Sequence, residues 1–177
     1  MRIFIALRFE EVANDIIYNT LKKVKTISET GNFSSKKNLH LTVLYIGETS
    51  KETLEAMKSK LMEITLKRFD YTANRIRTFK KSSSRLVVYL EVDKIESLEN
   101  LYLNVHHKLK EIGVSISSEK YTPHITLGRQ VLIKTGESLQ NIDTVNLLLK
   151  AKSISIMEST REGDLLVYKE RFNIPLK

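Results

Sequence analysis

His40-Leu41-Thr42-Val43 returns later in the chain as His124-Ile125-Thr126-Leu127. Both read histidine, apolar, threonine, apolar. In a β-strand, residues i and i+2 share one face. Each phrase therefore projects an imidazole and a hydroxyl together and sends its two apolar residues into a core. The chain holds only four histidines, and two of them stand in this context. Two imidazoles, each beside a hydroxyl, suit metal-free acid–base chemistry on a phosphate ester.

Around these phrases the sequence reads as alternating strands and helices. Strands are predicted over 2–8, 39–46, 69–79, 85–92, 123–131, 151–158 and 165–173. Helices are predicted over 10–27, 51–65 and 95–112. The first has apolar residues at 12, 13, 16, 17, 21 and 24, with acids early and lysines late, as the helix dipole favours. Ser50 is placed to cap the second, and Gly113 to stop the third. The run Leu86-Val87-Val88-Tyr89-Leu90 predicts a strand buried on both faces. Residues 29–38 and 80–84 read as loops, 114–122 as a short polar segment, and 137–149 as a short helix or a loop with one helical turn. A turn at Arg161-Glu162-Gly163-Asp164 predicts a final hairpin. The order predicts an α+β fold. Two antiparallel-rich sheets with helices on their outer faces flank a central cleft in pseudo-two-fold fashion, one phrase on each wall. The lobes exchange strands, so residues 1–177 are expected to form a single bilobal domain.

Composition sets the outer bounds. The chain has 177 residues, of which 41% are hydrophobic and 28% charged, in the range of a globular protein with a sizeable core. No apolar run approaches the ~18–20 residues of a membrane span. The N-terminal stretch resembles a first strand more than a signal peptide, so a cytoplasmic location without membrane association is expected. The absence of cysteine excludes disulfides, thiolate metal sites and a cysteine nucleophile. Lys and Arg number 29 against 21 Asp and Glu, a net charge of +8. Such a surplus favours a polyanionic partner, and beside a phosphate-type site RNA or DNA is the better expectation.

Other candidates are weighed against plainer roles. His106 and His107 are adjacent on a predicted helix and face ~100° apart, so an exposed pair on the helix surface is the favoured reading. No His-Glu-x-x-His string exists, and neither a metal nor a cofactor is expected. Arg129 follows the second phrase in Thr126-Leu127-Gly128-Arg129. Strict alternation turns it away from His124, unless a bulge at Gly128 re-aims it toward a phosphate; a surface arginine at a strand end is an equal alternative. The segment with Lys67, Arg68, Arg75, Arg77, Lys80, Lys81 and Arg85 interleaves Phe69, Tyr71 and Phe79. Basic residues alternating with aromatics can track single-stranded RNA, but core placement is slightly favoured for Phe69 and Tyr71.

These motifs resemble the two-histidine phosphoesterase superfamily, and within it the RNA 2′,3′-cyclic phosphodiesterase branch, the LigT-type 2′-5′ RNA ligases. Arg2-Ile3-Phe4-Ile5-Ala6-Leu7 is similar to that family's first strand. Asn38-Leu39-His40-Leu41-Thr42-Val43 resembles its first motif, followed by Ile46-Gly47-Glu48. Tyr121 to Arg129, with Pro123 before the histidine, resembles its second. The segment 77–84 departs from the family pattern in lacking a glycine and a proline, which bears on loop shape and substrate preference. The resemblance implies hydrolysis of RNA 2′,3′-cyclic phosphate ends to 2′-phosphates by a monomer. His40 and His124 are then the catalytic acid and base, with His124 as base and His40 as acid. Thr42, Thr126 and Arg129 are the substrate-binding residues. The same chemistry run toward 2′-5′ ligation needs no ATP. The alternatives are another cyclic or 2′-5′ nucleotide substrate, or a non-catalytic RNA-binding module.

Overall fold

The computed structural model describes residues 1–80, 85–116, 120–143 and 145–177. Nine strands and three α-helices occur among them, in the order β1 (Arg2–Leu7), α1 (Glu11–Thr26), β2 (Ser28–Phe33), β3 (Leu41–Glu48), α2 (Lys51–Leu61), β4 (Phe69–Lys80), β5 (Leu86–Val92), α3 (Glu96–Glu111), β6 (His124–Ile133), β7 (Leu147–Ala151), β8 (Ser153–Glu162) and β9 (Leu165–Pro175). Two antiparallel sheets result, one ordered β3-β1-β8-β9 and the other β2-β6-β5-β4-β7. The α+β class and the two-sheet architecture match the expectation. So does the strand exchange: β2 leaves the first half to join the second sheet, and β8 and β9 return to the first.

Local chemistry explains the helix bounds. The Ser50 side chain accepts a 3.1 Å hydrogen bond from the Thr53 N–H, capping α2 as its position predicts. Gly113 takes a φ of +75° and donates to Lys110 at 3.0 Å, closing α3 in the left-handed conformation that glycine adopts without steric cost. Helix α1 buries Ile17, Thr20, Leu21 and Val24, the inward stripe of its apolar period.

One continuous apolar core runs behind both sheets, joining Ile3, Ile5 and Leu7 of β1 to Val88, Leu90 and Val92 of β5 and to all three helices. On the other face of the first sheet, Phe4, Ala6 and Met157 form a smaller cluster under Tyr168. Strand β5 is buried on both sides, as its apolar run predicts. Val88 and Leu90 enter the main core, while Val87 and Tyr89 are buried on the opposite face.

Two segments differ from the sequence reading. The expected loop 29–38 contains β2 and a 3-10 turn at Lys36–Asn38. β2 is a polar edge strand held by pairing with β6, so no hydrophobic alternation announces it. The expected helix or loop at 137–149 holds a 3-10 turn at Leu139–Asn141 and then β7. Its three successive leucines conceal a period of two: Leu147 and Leu149 are buried and Leu148 exposed. Residues 81–84, most of the expected linker between β4 and β5, lie outside the described residues, as do 117–119 and Thr144.

Candidate active site

The two phrases meet where β3 packs against β6. His40 lies immediately before β3, and His124 is the first residue of β6. Their apolar partners Leu41, Val43, Ile125 and Leu127 are all buried in the core. The polar side chains line a cleft of about 140 Å³ that holds His40, Thr42, His124, Thr126 and Arg129 together. Every site residue expected from the sequence is thus in one cavity.

Arg129 arrives there through a bulge. Tyr89 of β5 pairs with Thr126 and Val88 with Gly128, so Leu127 is an extra residue in β6. An inserted residue reverses the alternation beyond it. Gly128 then falls on the Val88 side, and Arg129 on the side of His124 and Thr126. A second irregularity follows at once, with Gln130 at a φ of +54°. Of the two readings of Arg129, the bulge is present, one residue before Gly128, and the exposed Arg129 side chain lines the cleft.

The same device occurs in β3. Ala6 pairs with Thr42 and Ile5 with Leu44, which leaves Val43 as the extra residue. Tyr45, opposite Phe4, therefore returns to the face of Thr42 and lines the cleft. The repeat is longer than four residues: His40, Thr42 and Tyr45 correspond to His124, Thr126 and Arg129, each set with its bulge after the threonine. Tyr45 was not anticipated. The signal was present in the equal spacing from each histidine, hidden because tyrosine and arginine share no chemistry.

Both imidazoles are held alike. His40 Nδ1 lies 2.7 Å from the Asn38 carbonyl oxygen, and His124 Nδ1 lies 2.7 Å from that of Thr122. A carbonyl only accepts, so Nδ1 carries the proton in each ring and the neutral tautomer keeps its lone pair on Nε2. Thr42 Oγ1 donates to that lone pair in His40 at 3.0 Å. His124 Nε2 has no hydrogen-bond partner among the described residues.

Aromatic rings fix both planes. His40 packs against Phe4 at 4.8 Å and edge-on to Tyr168 at 5.2 Å between centroids. His124 stands against Tyr89 at 5.3 Å and Phe79 at 5.5 Å. Phe4, Tyr168, Tyr89 and Phe79 carry no sequence signal of this role, because strand pairing alone brings them to the histidines.

Burial lowers the tendency of His40 to protonate, bringing its pKa down to about 4, and the charges of Arg129, His124 and Arg8 push the same way. His124 is shifted down by burial and by Arg129. The free site therefore holds two neutral imidazoles and one guanidinium. That arrangement gains most from an anion, whose charge favours protonation of either ring.

The other candidates lie elsewhere. His107 is exposed on α3 and within 3.1 Å of Glu111, while His106 packs beside Tyr102. Tyr71 is buried and Phe69 joins the core behind it. Arg85 binds Thr30 and the Gln130 carbonyl. Lys81 lies outside the described residues. Among the described residues no group of three or more His, Asp or Glu is placed to hold a metal ion, and no helix is long and apolar enough to cross a membrane.

Comparison with known proteins follows the same lines. The Thermotoga maritima protein named RNA 2′,3′-cyclic phosphodiesterase is 26% identical over 173 residues, covering 96% of this chain and 92% of its own. An Archaeoglobus fulgidus protein of the same name is 28% identical over 129 residues, covering 73% of this chain and 72% of its own. The crystal structure of Escherichia coli LigT complexed with 3′-AMP superposes with a TM-score of 0.84 at 22% identity, over 99% of this chain and 97% of that one, which establishes a shared fold. The model of the 2′-5′ RNA ligase superfamily matches residues 16–154, and the chain belongs to that superfamily.

Proposed function

We propose that this protein is an RNA 2′,3′-cyclic phosphodiesterase that hydrolyses cyclic phosphate ends to 2′-phosphates without a metal or other cofactor, working as a monomer with residues 1–177 as one bilobal domain. The observation that carries the reading is the matched pair of imidazoles lining one cleft, each with Nδ1–H tied to a backbone carbonyl, His40 Nε2 bonded to the Thr42 hydroxyl and His124 Nε2 open. The names of the relatives support the same substrate class.

In the proposed reaction, His124 Nε2 takes a proton from water as the water oxygen attacks phosphorus. The bond from phosphorus to O3′ breaks, and O3′ takes the proton held on His40 Nε2. The free Nε2 of His124 suits the base. His40 acquires its proton with the substrate in place, when the phosphodiester charge offsets its burial. The Thr42 and Thr126 hydroxyls and the Arg129 guanidinium stabilise the nonbridging oxygens as negative charge accumulates there. A 5′-hydroxyl in place of water would form a 2′-5′ bond by the same transfers, without ATP.

The test is turnover, in EDTA, of a short RNA ending in a 2′,3′-cyclic phosphate. Wild type should yield the 2′-phosphate, and His40→Ala and His124→Ala should each lose about 100-fold or more. No turnover by wild type, with RNA affinity retained, would replace the enzyme with a binding module. A substrate with sulfur in place of O3′ assigns the roles, because thiolate leaves without protonation. It should rescue His40→Ala; rescue of His124→Ala instead would reverse acid and base.

A further inference from the structure

We propose that the cleft-side face of β5 and β4 is a track for the RNA strand behind the cyclic phosphate, with Phe79 as the stacking platform, Arg75 as the phosphate contact and Arg77 neutralising Glu91 beside it. The inference rests on the phosphodiesterase reading and extends it from the reacting end to the polymer that bears it.

Register establishes the surface. His124 pairs with Glu91 and Thr126 with Tyr89 across β6 and β5. On the other side of β5, Glu91 pairs with Arg75, Tyr89 with Arg77, and Val87 with Phe79. Directly opposed residues of an antiparallel pair project to the same face. Arg75, Arg77 and Phe79 therefore share the face of His124 and Thr126. Side-chain contacts agree: Phe79 stacks on Tyr89 at 4.2 Å and 18°, and stands edge-on to His124 at 5.5 Å.

The chemistry of the face favours a nucleic acid strand. Phe79 is 40% exposed, an uncommon state for a phenylalanine already stacked on one side. The ring beneath it fixes its plane, which lowers the ordering cost of receiving a base on the open side. The carboxylate on this face, Glu91, is taken up by Arg77 at 3.2 Å. Arg75 makes no ion pair among the described residues and is exposed. A terminal nucleoside held by its phosphate near His124 lies within reach of the Phe79 ring, and the strand then runs outward over β4.

Two substrates with the same terminal base separate the track from the reacting centre: a cyclic mononucleotide and a pentanucleotide ending in a 2′,3′-cyclic phosphate. For Arg75→Ala, which leaves the Arg77–Glu91 pair intact, kcat/KM on the pentanucleotide should fall about tenfold and its dependence on log salt should flatten by about one unit, with the mononucleotide changed less than about twofold. Phe79→Leu, which keeps apolar cover over Tyr89, should weaken both substrates if the terminal base stacks there. Equal losses on the two substrates for the arginine variant, or no loss, would overturn the track. Larger losses on the pentanucleotide from Lys120→Ala, in the neighbouring cavity that Thr42, Tyr45 and His124 also line, would also overturn it. Fluorescence anisotropy with a labelled pentanucleotide 3′-phosphate reads the same comparison without turnover. Loss of binding in the arginine variant would uphold the track even if wild type hydrolysed neither substrate, whereas unchanged binding would refute it.

Discussion

Asn38 holds His40 and the edge of β9 at once. Its carbonyl oxygen accepts the His40 Nδ1–H at 2.7 Å. Its carboxamide donates to the Leu166 carbonyl at 2.7 Å and accepts from the Tyr168 N–H at 3.1 Å. Tyr168 in turn presents its ring edge-on to His40. A buried asparagine two residues before the histidine thus sets the imidazole and one of its aromatic supports in a common frame.

Asn38→Ala should therefore cost more than a surface substitution. It leaves the Leu166 carbonyl and the Tyr168 N–H without their partner, at about 1–3 kcal/mol in urea unfolding. The His40 hydrogen bond is to backbone and survives, so the loss in turnover should follow the loosening of β9 and Tyr168. Asn38→Asp should be worse, because a carboxylate cannot donate to Leu166 and faces its carbonyl. Equal stability of Asn38→Ala and wild type would remove this residue from the framework.

Stability should rise with pH across the range set by His40. Its folded pKa of about 4 lies below the ordinary 6.5, so the unfolded chain binds the extra proton between those values. The contribution is fully present above pH 6.5 and is lost as pH falls toward 4, on the order of 3 kcal/mol. His124 shifts in the same direction. Urea titrations of wild type and His40→Gln from pH 4 to 7 check this. The variant should show a shallower slope, and an unchanged slope would mean that His40 is not desolvated.

Much of this site is legible in the sequence because two histidine–threonine spacings of two residues select one face of a strand. Leu41, Val43, Ile125 and Leu127 confirm that face by their burial. The location of Arg129 was undecided, since a bulge depends on the partner strand and not on local sequence. Phe4 and Tyr168 carry no local signal for the same reason, since cross-strand register assembles them, whereas Tyr45 has one in its spacing from His40, masked by its unlike chemistry to Arg129. Edge strands β2 and β7 escaped because their stability comes from pairing, with Thr30 and Leu148 facing outward.

Turnover should favour mildly acidic conditions. Catalysis by an acid–base pair of histidines needs one ring protonated and one neutral. Both rings are shifted down in the free protein, so the singly protonated form is scarce above the ordinary histidine value. The kcat/KM profile should peak below about pH 6.5 and fall on the alkaline side. The kcat profile should lie further toward alkaline pH, because bound phosphodiester raises both values. Coincident profiles would show that the substrate charge does not reach the imidazoles.

Gly128 follows the bulge at Leu127 that delivers Arg129, and its space is already filled. A Cβ added there would meet Phe33 Cδ1 at 2.9 Å and Val131 Cγ2 at 3.0 Å, and Phe33 is the residue paired with Gly128 across β2 and β6. Gly128→Ala should destabilise by about 1–3 kcal/mol as β2 is pushed aside. Arg129 lies next in the chain, so KM should rise, as it should for Arg129→Ala. Phe33→Leu vacates the ring position that the new methyl requires. The double variant should therefore recover part of both losses, a coupling that two independent sites would not show. Strict additivity of the two substitutions would place the Arg129 geometry under some other control than the contact between Gly128 and Phe33.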